Sequence, residues 1–219
     1  MKKITLILAA VAGLAGLCVG LLNQSIWAED RDGIVKILSH RGVHQTFHKE
    51  GLDNDSCTAA RIFEPSHEYL ENTLESIGAA FDYGADAVEI DSIKTRDDAF
   101  VVFHDWALDC RTNGHGRTVD HSLEELQSLD IGYGYTFDDG LSFPFRGKAV
   151  GHMPSLAMVL KQFPGREFVI NVKGDRAQDA DALAQYFSAK AILDSHEISL
   201  FSGPRFAHRW REINGGLPI

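Results

Sequence analysis

Short apolar runs and amphipathic segments take turns along most of this chain, and that alternation restricts the fold more than any other feature. "IVKILS", "AVEIDSI", "FVVFHD", "EFVINVK" and "EISLFS" read as strands. "NTLESIGAAFDYGA", "SLEELQSL", "PSLAMVLKQF", "DALAQYFSAKAIL" and "PRFAHRWREI" read as helices. Asn72 and Glu75 are spaced as a capping box, as are Ser122 and Glu125; Pro154 suits a first turn, while Gly84 and the pair Gly215 and Gly216 suit helix ends. Such alternation predicts an α/β fold, a parallel sheet covered by helices. At 219 residues, 44% hydrophobic and 24% charged, the chain has the material for one domain with a sizeable core.

The polar residues of the strands fall where such folds build sites. "SHRG" ends the first strand, Glu89 and Asp91 interrupt the second, "HD" ends the third, and Asn171 and Lys173 stand two apart in the fourth. Ligands of parallel α/β folds bind beyond the carboxyl ends of the strands, so these groups are expected to converge. Glu89 and Asp91 share one face of their strand, and two like-signed buried carboxylates need a compensating cation. Their side chains start ~6.5–7 Å apart, within reach of one ion. A lone strand-end histidine is more often structural, and Asn72 fits a helix start, so convergence carries the functional argument. The segments 43–70 and 130–152 are long for connections and are expected to cover the site. The histidines of the loops (His44, His48, His115, His121, His152), Trp106 and "GYGYTF" are more simply read as loop packing.

Charge and cysteines bound the setting. A formal net charge of −10 argues against a nucleic-acid partner. Lys2 and Lys3 precede an uncharged apolar run from Ile4 to Leu22, with Ala28 a suitable last leader residue, so residues 1–28 read as a signal peptide or an N-terminal membrane anchor. Either reading exports the rest, to the periplasm or beyond, and limits membrane contact to that segment. Cys18 lies in the leader; Cys57 and Cys110 remain as a candidate disulfide, with two free thiols as the alternative.

"SHRG", "ENTLESIGAAFDYGADAVEIDSIKTRDDAFVVFHD", "CRTNGHGRTVDHSLEELQSLDIG", "MPSLAMVL" and "FVINVKGD" together resemble the glycerophosphodiester phosphodiesterase family, particularly its exported bacterial members. The resemblance implies a TIM-type (β/α) barrel over residues 33–219 that hydrolyses small glycerophosphodiesters to sn-glycerol 3-phosphate and an alcohol. It implies His40 and His104 as the acid–base pair, Arg41 and Lys173 as phosphate contacts, Glu71 and Asn72 as site lining, and Glu89 and Asp91 as ligands of one divalent cation, Ca²⁺ or Mg²⁺. The family has Glu where this chain has Asn171, whose amide oxygen is a weaker ligand. The resemblance leaves open whether water or the substrate's own glycerol hydroxyl attacks phosphorus. Five strands are counted before "GGLPI", so about the first five βα units of a barrel are expected, incomplete at the C-terminal side. Two rivals stand beside this reading: a phospholipase D-like sphingomyelinase on the same barrel, and a non-catalytic exported binding protein derived from the enzyme.

Overall fold

The computed structural model describes residues 11, 13–21, 35–53, 56–190 and 197–214. Two compact units are distinguished, residues 1–35 and 36–219. In the first, the described residues up to 21 are helical and exposed, while Lys2, Lys3 and Ala28 lie outside the described residues. Among the described residues no helix is long and apolar enough to cross a membrane.

The second unit carries one five-stranded sheet: β1 (Leu38–His40), β2 (Ala87–Lys94), β3 (Phe100–Val102), β4 (Glu167–Val172) and β5 (Glu197–Phe201). Its main path runs β1-β2-β4-β5, all neighbours parallel, and β3 pairs with β2 alone, antiparallel. Among the described residues of this unit, four α-helices lie between these strands, α1 (Leu74–Asp82), α2 (Leu123–Gln127), α3 (Leu156–Gln162) and α4 (Ala177–Lys190), and α5 (Pro204–Asn214) follows β5. The expected α/β architecture is present, and the sheet is open among the described residues.

The strand pleat sorts side chains by position. Val88, Ile90, Phe168, Ile170 and Val172 join Ile77 and Phe81 of α1, Val159 of α3, Phe187 of α4 and Phe206 and Trp210 of α5 in one core. Glu89, Asp91, Val169 and Asn171, at the alternate positions, face the other way. Burying these apolar residues at ~25 cal/mol per Å² is what holds the helices on that one face. A second core gathers Ala59, Ile62 and Leu70 of the first long loop with Ile93, Val101 and Phe103 and with Ile131, Tyr135 and Phe145 of the second. Both long loops are therefore packed substructures.

Local details depart from the sequence expectations. Within "IVKILS", whose Ile34 lies outside the described residues, the strand starts at Leu38, and Ile37 just ahead of it donates its N–H to the Asp86 carboxylate (2.7 Å). The cap of α1 is Thr73 with Ser76, whose hydroxyls each accept the other's N–H (3.2 and 3.3 Å), and not Asn72 with Glu75. Asn72 is engaged elsewhere, as described below. Pro154 stands outside α3, which Ser155 caps, and its carbonyl accepts from Val102 N–H (2.8 Å). The Ser122 and Glu125 box is formed as expected. Gly215 and Gly216 lie outside the described residues.

Cys57 and Cys110 are joined in a disulfide across 53 positions, with Cα atoms 5.5 Å apart. It staples the first long loop to the segment after "HD". Closing a loop of that length removes about 4 kcal/mol of unfolded-chain entropy in the polymer picture. Reduction, or Cys57→Ser, is expected to lower the urea-unfolding free energy by about 2–4 kcal/mol, and an unchanged midpoint would contradict this role.

Candidate active site

The turn after β1 is built around a close approach. Gly42 has φ +77, and a Cβ there would stand 2.6–2.7 Å from the hydroxyl and backbone of Ser76 in α1, so only glycine lets the "HRG" turn sit on that helix. Arg41 (φ 60) and Asn72 (φ 59) are both left-handed, an uncommon state for non-glycine residues. The strain is held by the surroundings: Arg41 N–H donates to Glu89 O (2.8 Å), and Asn72 N–H donates to Arg41 O (3.0 Å).

These turns direct side chains onto Asp91, which is fully buried. Asn72 Nδ2 donates to its Oδ2 (3.1 Å), while Asn72 Oδ1 accepts the Asp91 N–H (3.1 Å). Arg41 Nε lies 3.0 Å from the same oxygen as an ionic contact. On the other oxygen, Asn171 Nδ2 donates at 3.0 Å and Lys173 Nζ stands at 3.4 Å. Asn171 reaches it because β2 and β4 pair in register, Asp91 beside Asn171. Two cations and two amides thus surround one carboxylate.

A chain of ion pairs leads from there to His104. The Arg41 guanidinium contacts Glu71 (3.1 Å), Glu71 contacts Arg111 (3.2 Å), Arg111 Nε donates to Asp105 (2.8 Å), and Asp105 meets His104 Nδ1 (2.5 Å). The buried Arg111 also donates to Tyr135 Oη (2.7 Å) and Thr58 Oγ1 (2.7 Å). Thr58 and Arg111 each adjoin one cysteine of the disulfide. The antiparallel β3 explains the position of His104: it runs back along β2, so that Phe103 N–H reaches Asp91 O (3.1 Å). His40, in register with Glu89, places Nε2 3.7 Å from Glu89 Oε2.

The electrostatics follow from burial and neighbours. Burial and then the Asp91 charge push the Glu89 carboxyl up to about 7, against the opposing pull of Arg41 and Lys173. Burial, then Arg41, lowers the His40 imidazole, which favours its neutral form. Burial would raise Glu71, but Arg111 and Arg41 hold it below the usual range. Asp105 likewise resists burial: the His104 hydrogen bond and Arg111 bring it down to about 2. Burial raises the Tyr135 phenol, so Arg111 meets a neutral hydroxyl.

One oxygen of the set is open to a cation. Glu89 Oε2 is buried without a hydrogen-bond partner, an oxygen beside Asp91 that asks for positive charge. Among the described residues no group of three His, Cys, Asp or Glu side chains forms a ready cage. Of the expected ligands Glu89, Asp91 and Asn171, Glu89 would offer a divalent ion its open oxygen, while Asp91 and the Asn171 amide are engaged with each other.

Of the residues expected to act, Arg41, Glu71, Asn72, Asp91, His104, Asn171 and Lys173 are joined through the contacts above, and His40 meets Glu89 beside them. Sequence reasoning brought Asp105 to the site only as part of "HD", without a role, and missed Arg111. The only signal for Arg111 was its place beside Cys110 in "CRTNGHG".

The sequence profile described as the glycerophosphoryl diester phosphodiesterase family matches residues 40–199. Among curated proteins, YhdW of Bacillus subtilis strain 168, which carries a glycerophosphodiester phosphodiesterase name, is 33% identical over 156 residues, covering 68% of this chain and 58% of that protein. A glycerophosphodiester phosphodiesterase of Caldanaerobacter subterraneus is 33% identical over 103 residues, 47% of this chain and 39% of its own. The crystal structure of glycerophosphodiester phosphodiesterase from Agrobacterium tumefaciens superposes with a TM-score of 0.57 at 26% identity, over 84% of this chain and 65% of the other. This chain thus spans well under two thirds of the length of both curated relatives.

The Asp105 carboxyl, lowered in the folded state from 3.8 to about 2, contributes stability above pH ~4 that is lost as the pH falls toward 2. The shift corresponds to about 2 kcal/mol. Urea unfolding at pH 5, 4, 3 and 2 is expected to show this loss, and Asp105→Asn should flatten the profile in that window; parallel profiles would count against the assignment.

Proposed function

Because the chain belongs to the glycerophosphoryl diester phosphodiesterase family, we propose that it hydrolyses small glycerophosphodiesters to sn-glycerol 3-phosphate and an alcohol, with His40 and His104 exchanging protons and a divalent cation assisting. Residues 40–199 fall on a TIM-type α/β fold shared with the family's solved structures, here as an open sheet. One observation carries the reading most: the ion-pair chain linking His104 to Asp91 through Asp105, Arg111, Glu71 and Arg41, with His40 on the adjoining Glu89.

The chemistry follows from the residue types. Arg41 spends only part of its five N–H donors on Glu71 and Asp91, and Lys173 has three, so both retain donors for the anionic phosphoryl oxygens. One imidazole takes the proton of the attacking oxygen as its bond to phosphorus forms. The other gives a proton to the alcohol oxygen as its bond to phosphorus breaks. Asp105 orients His104 through Nδ1, leaving Nε2 for proton transfer. Arg111 fixes Asp105 and Glu71 and so positions the histidine from behind. A cation held by Glu89, Asp91 and Asn171 would neutralise charge growing on the phosphoryl oxygens. The leader pattern and the disulfide support an exported setting, with residues 1–28 as signal peptide or anchor.

Release of sn-glycerol 3-phosphate from glycerophosphodiesters is the expected activity, falling about 10²–10⁴-fold in His40→Ala and in His104→Ala. Choline released from sphingomyelin alone would replace this reading by the sphingomyelinase one. No turnover by the full-length protein would favour the binding-protein reading.

Chelation is expected to abolish turnover. Asn171→Glu, which restores a third carboxylate, should tighten divalent binding measured by calorimetry by about tenfold or more. Equal affinities in the two proteins would separate Asn171 from the metal.

A further inference from the structure

Arg111 has no slack. It is 3% exposed and spends its donors on four groups: Asp105 from Nε (2.8 Å), Thr58 Oγ1 from Nη2 (2.7 Å) and Tyr135 Oη from Nη1 (2.7 Å), with Glu71 3.2 Å from that last nitrogen. A guanidinium is planar and its N–H groups point in fixed directions, so it cannot turn toward one partner without leaving another. Its aim at Asp105 therefore depends on where the other three stand.

Two of those three are set beside the disulfide. Thr58 follows Cys57 and Arg111 follows Cys110, so the acceptor and the donor of the 2.7 Å bond each stand one residue from a bridged cysteine. The chain leading to Tyr135 runs against the same place: a Cβ on Gly134 would lie 1.9 Å from Cys110 O, and Gly134 N–H donates to Arg111 O (3.2 Å). Glu71 is held separately, by Arg41. A cross-link that only restricts the unfolded chain leaves the folded geometry as it was. This one joins the two backbones that carry an arginine and its acceptor. We propose that the Cys57–Cys110 disulfide, through Thr58 and Arg111, holds Asp105 and so positions His104 for proton transfer. The catalytic part rests on the phosphodiesterase reading. The disulfide and Thr58 are positioning groups, acting on the imidazole through Arg111 and Asp105.

Both cysteines line an open cavity of about 600 Å³, where a small dithiol such as dithiothreitol can enter. Exchange leaves two protein thiols and closes the reagent into its own disulfide. The test compares the full-length protein oxidised, the same protein reduced, and Thr58→Val with the disulfide intact. Two readouts are taken: kcat and KM on a glycerophosphodiester, and the nitrogen chemical shifts of the His104 ring in isotope-labelled protein, which report the nitrogen that carries the proton. Reduction is expected to lower kcat about tenfold while KM moves less than about twofold, and to shift the ring from its Nδ1-protonated form toward a mixture. Thr58→Val should move both readouts the same way by a smaller factor. A reduced protein that is still folded by circular dichroism and keeps native kcat or native ring shifts overturns the proposal, and so does Thr58→Val with either. If the reduced protein unfolds, Thr58→Val alone decides. If no diester is cleaved, the phosphodiesterase reading itself fails, and the ring shifts then decide: moved shifts support the positioning of His104, and native shifts overturn it.

Discussion

The buried carboxylate of Asp91 is the constraint around which the site is arranged. A buried ion left without partners is costly by several kcal/mol, and leaving water is tolerated only when donors replace it. Here Arg41, Asn72 and the neighbours Asn171 and Lys173 supply them from three separate stretches of chain. Each needs its own backbone device: left-handed turns at Arg41 and Asn72, and parallel register between β2 and β4 for Asn171. The glycine at 42 belongs to the same requirement, because the turn holding Arg41 must rest on α1.

A second requirement is satisfied by a strand that breaks the parallel rule. Had β3 run parallel to β2, "HD" would have ended beyond Lys94, away from Asp91; antiparallel pairing returns it to the level of Asp91. The buried Arg111, next to Cys110 of the disulfide, then ties Asp105 to Glu71. The two long loops therefore act as the scaffold of this arginine, packed on their own apolar core.

Much of this was legible in the residues. The alternation of strands and helices announced the sheet and its helical cover, and the pairs Glu89 with Asp91 and Asn171 with Lys173 declared polar positions in otherwise apolar strands. Local rules were weaker. Asn72 has good capping chemistry and lies three residues before Glu75, yet the buried Asp91 claims its side chain and Thr73 takes the cap. "FVVFHD" reads as a strand, but a strand pattern is silent about direction. Arg111 carries no periodic signal, since an arginine in a polar loop is ordinarily solvated.

What the sequence determined by itself was the class of fold, the two cysteines able to pair, and the chemical types gathered at the strand ends. Those depend on periodicity and on side-chain chemistry, which are properties of the chain read in order. Only the tertiary structure decided the direction of β3, the partners of Asp91, and the burial of Arg111 between Glu71 and Asp105. Charge compensation in a low-dielectric interior joins residues far apart in sequence, as Asn171 and Asp91 are, and no local pattern along the chain encodes such a pairing.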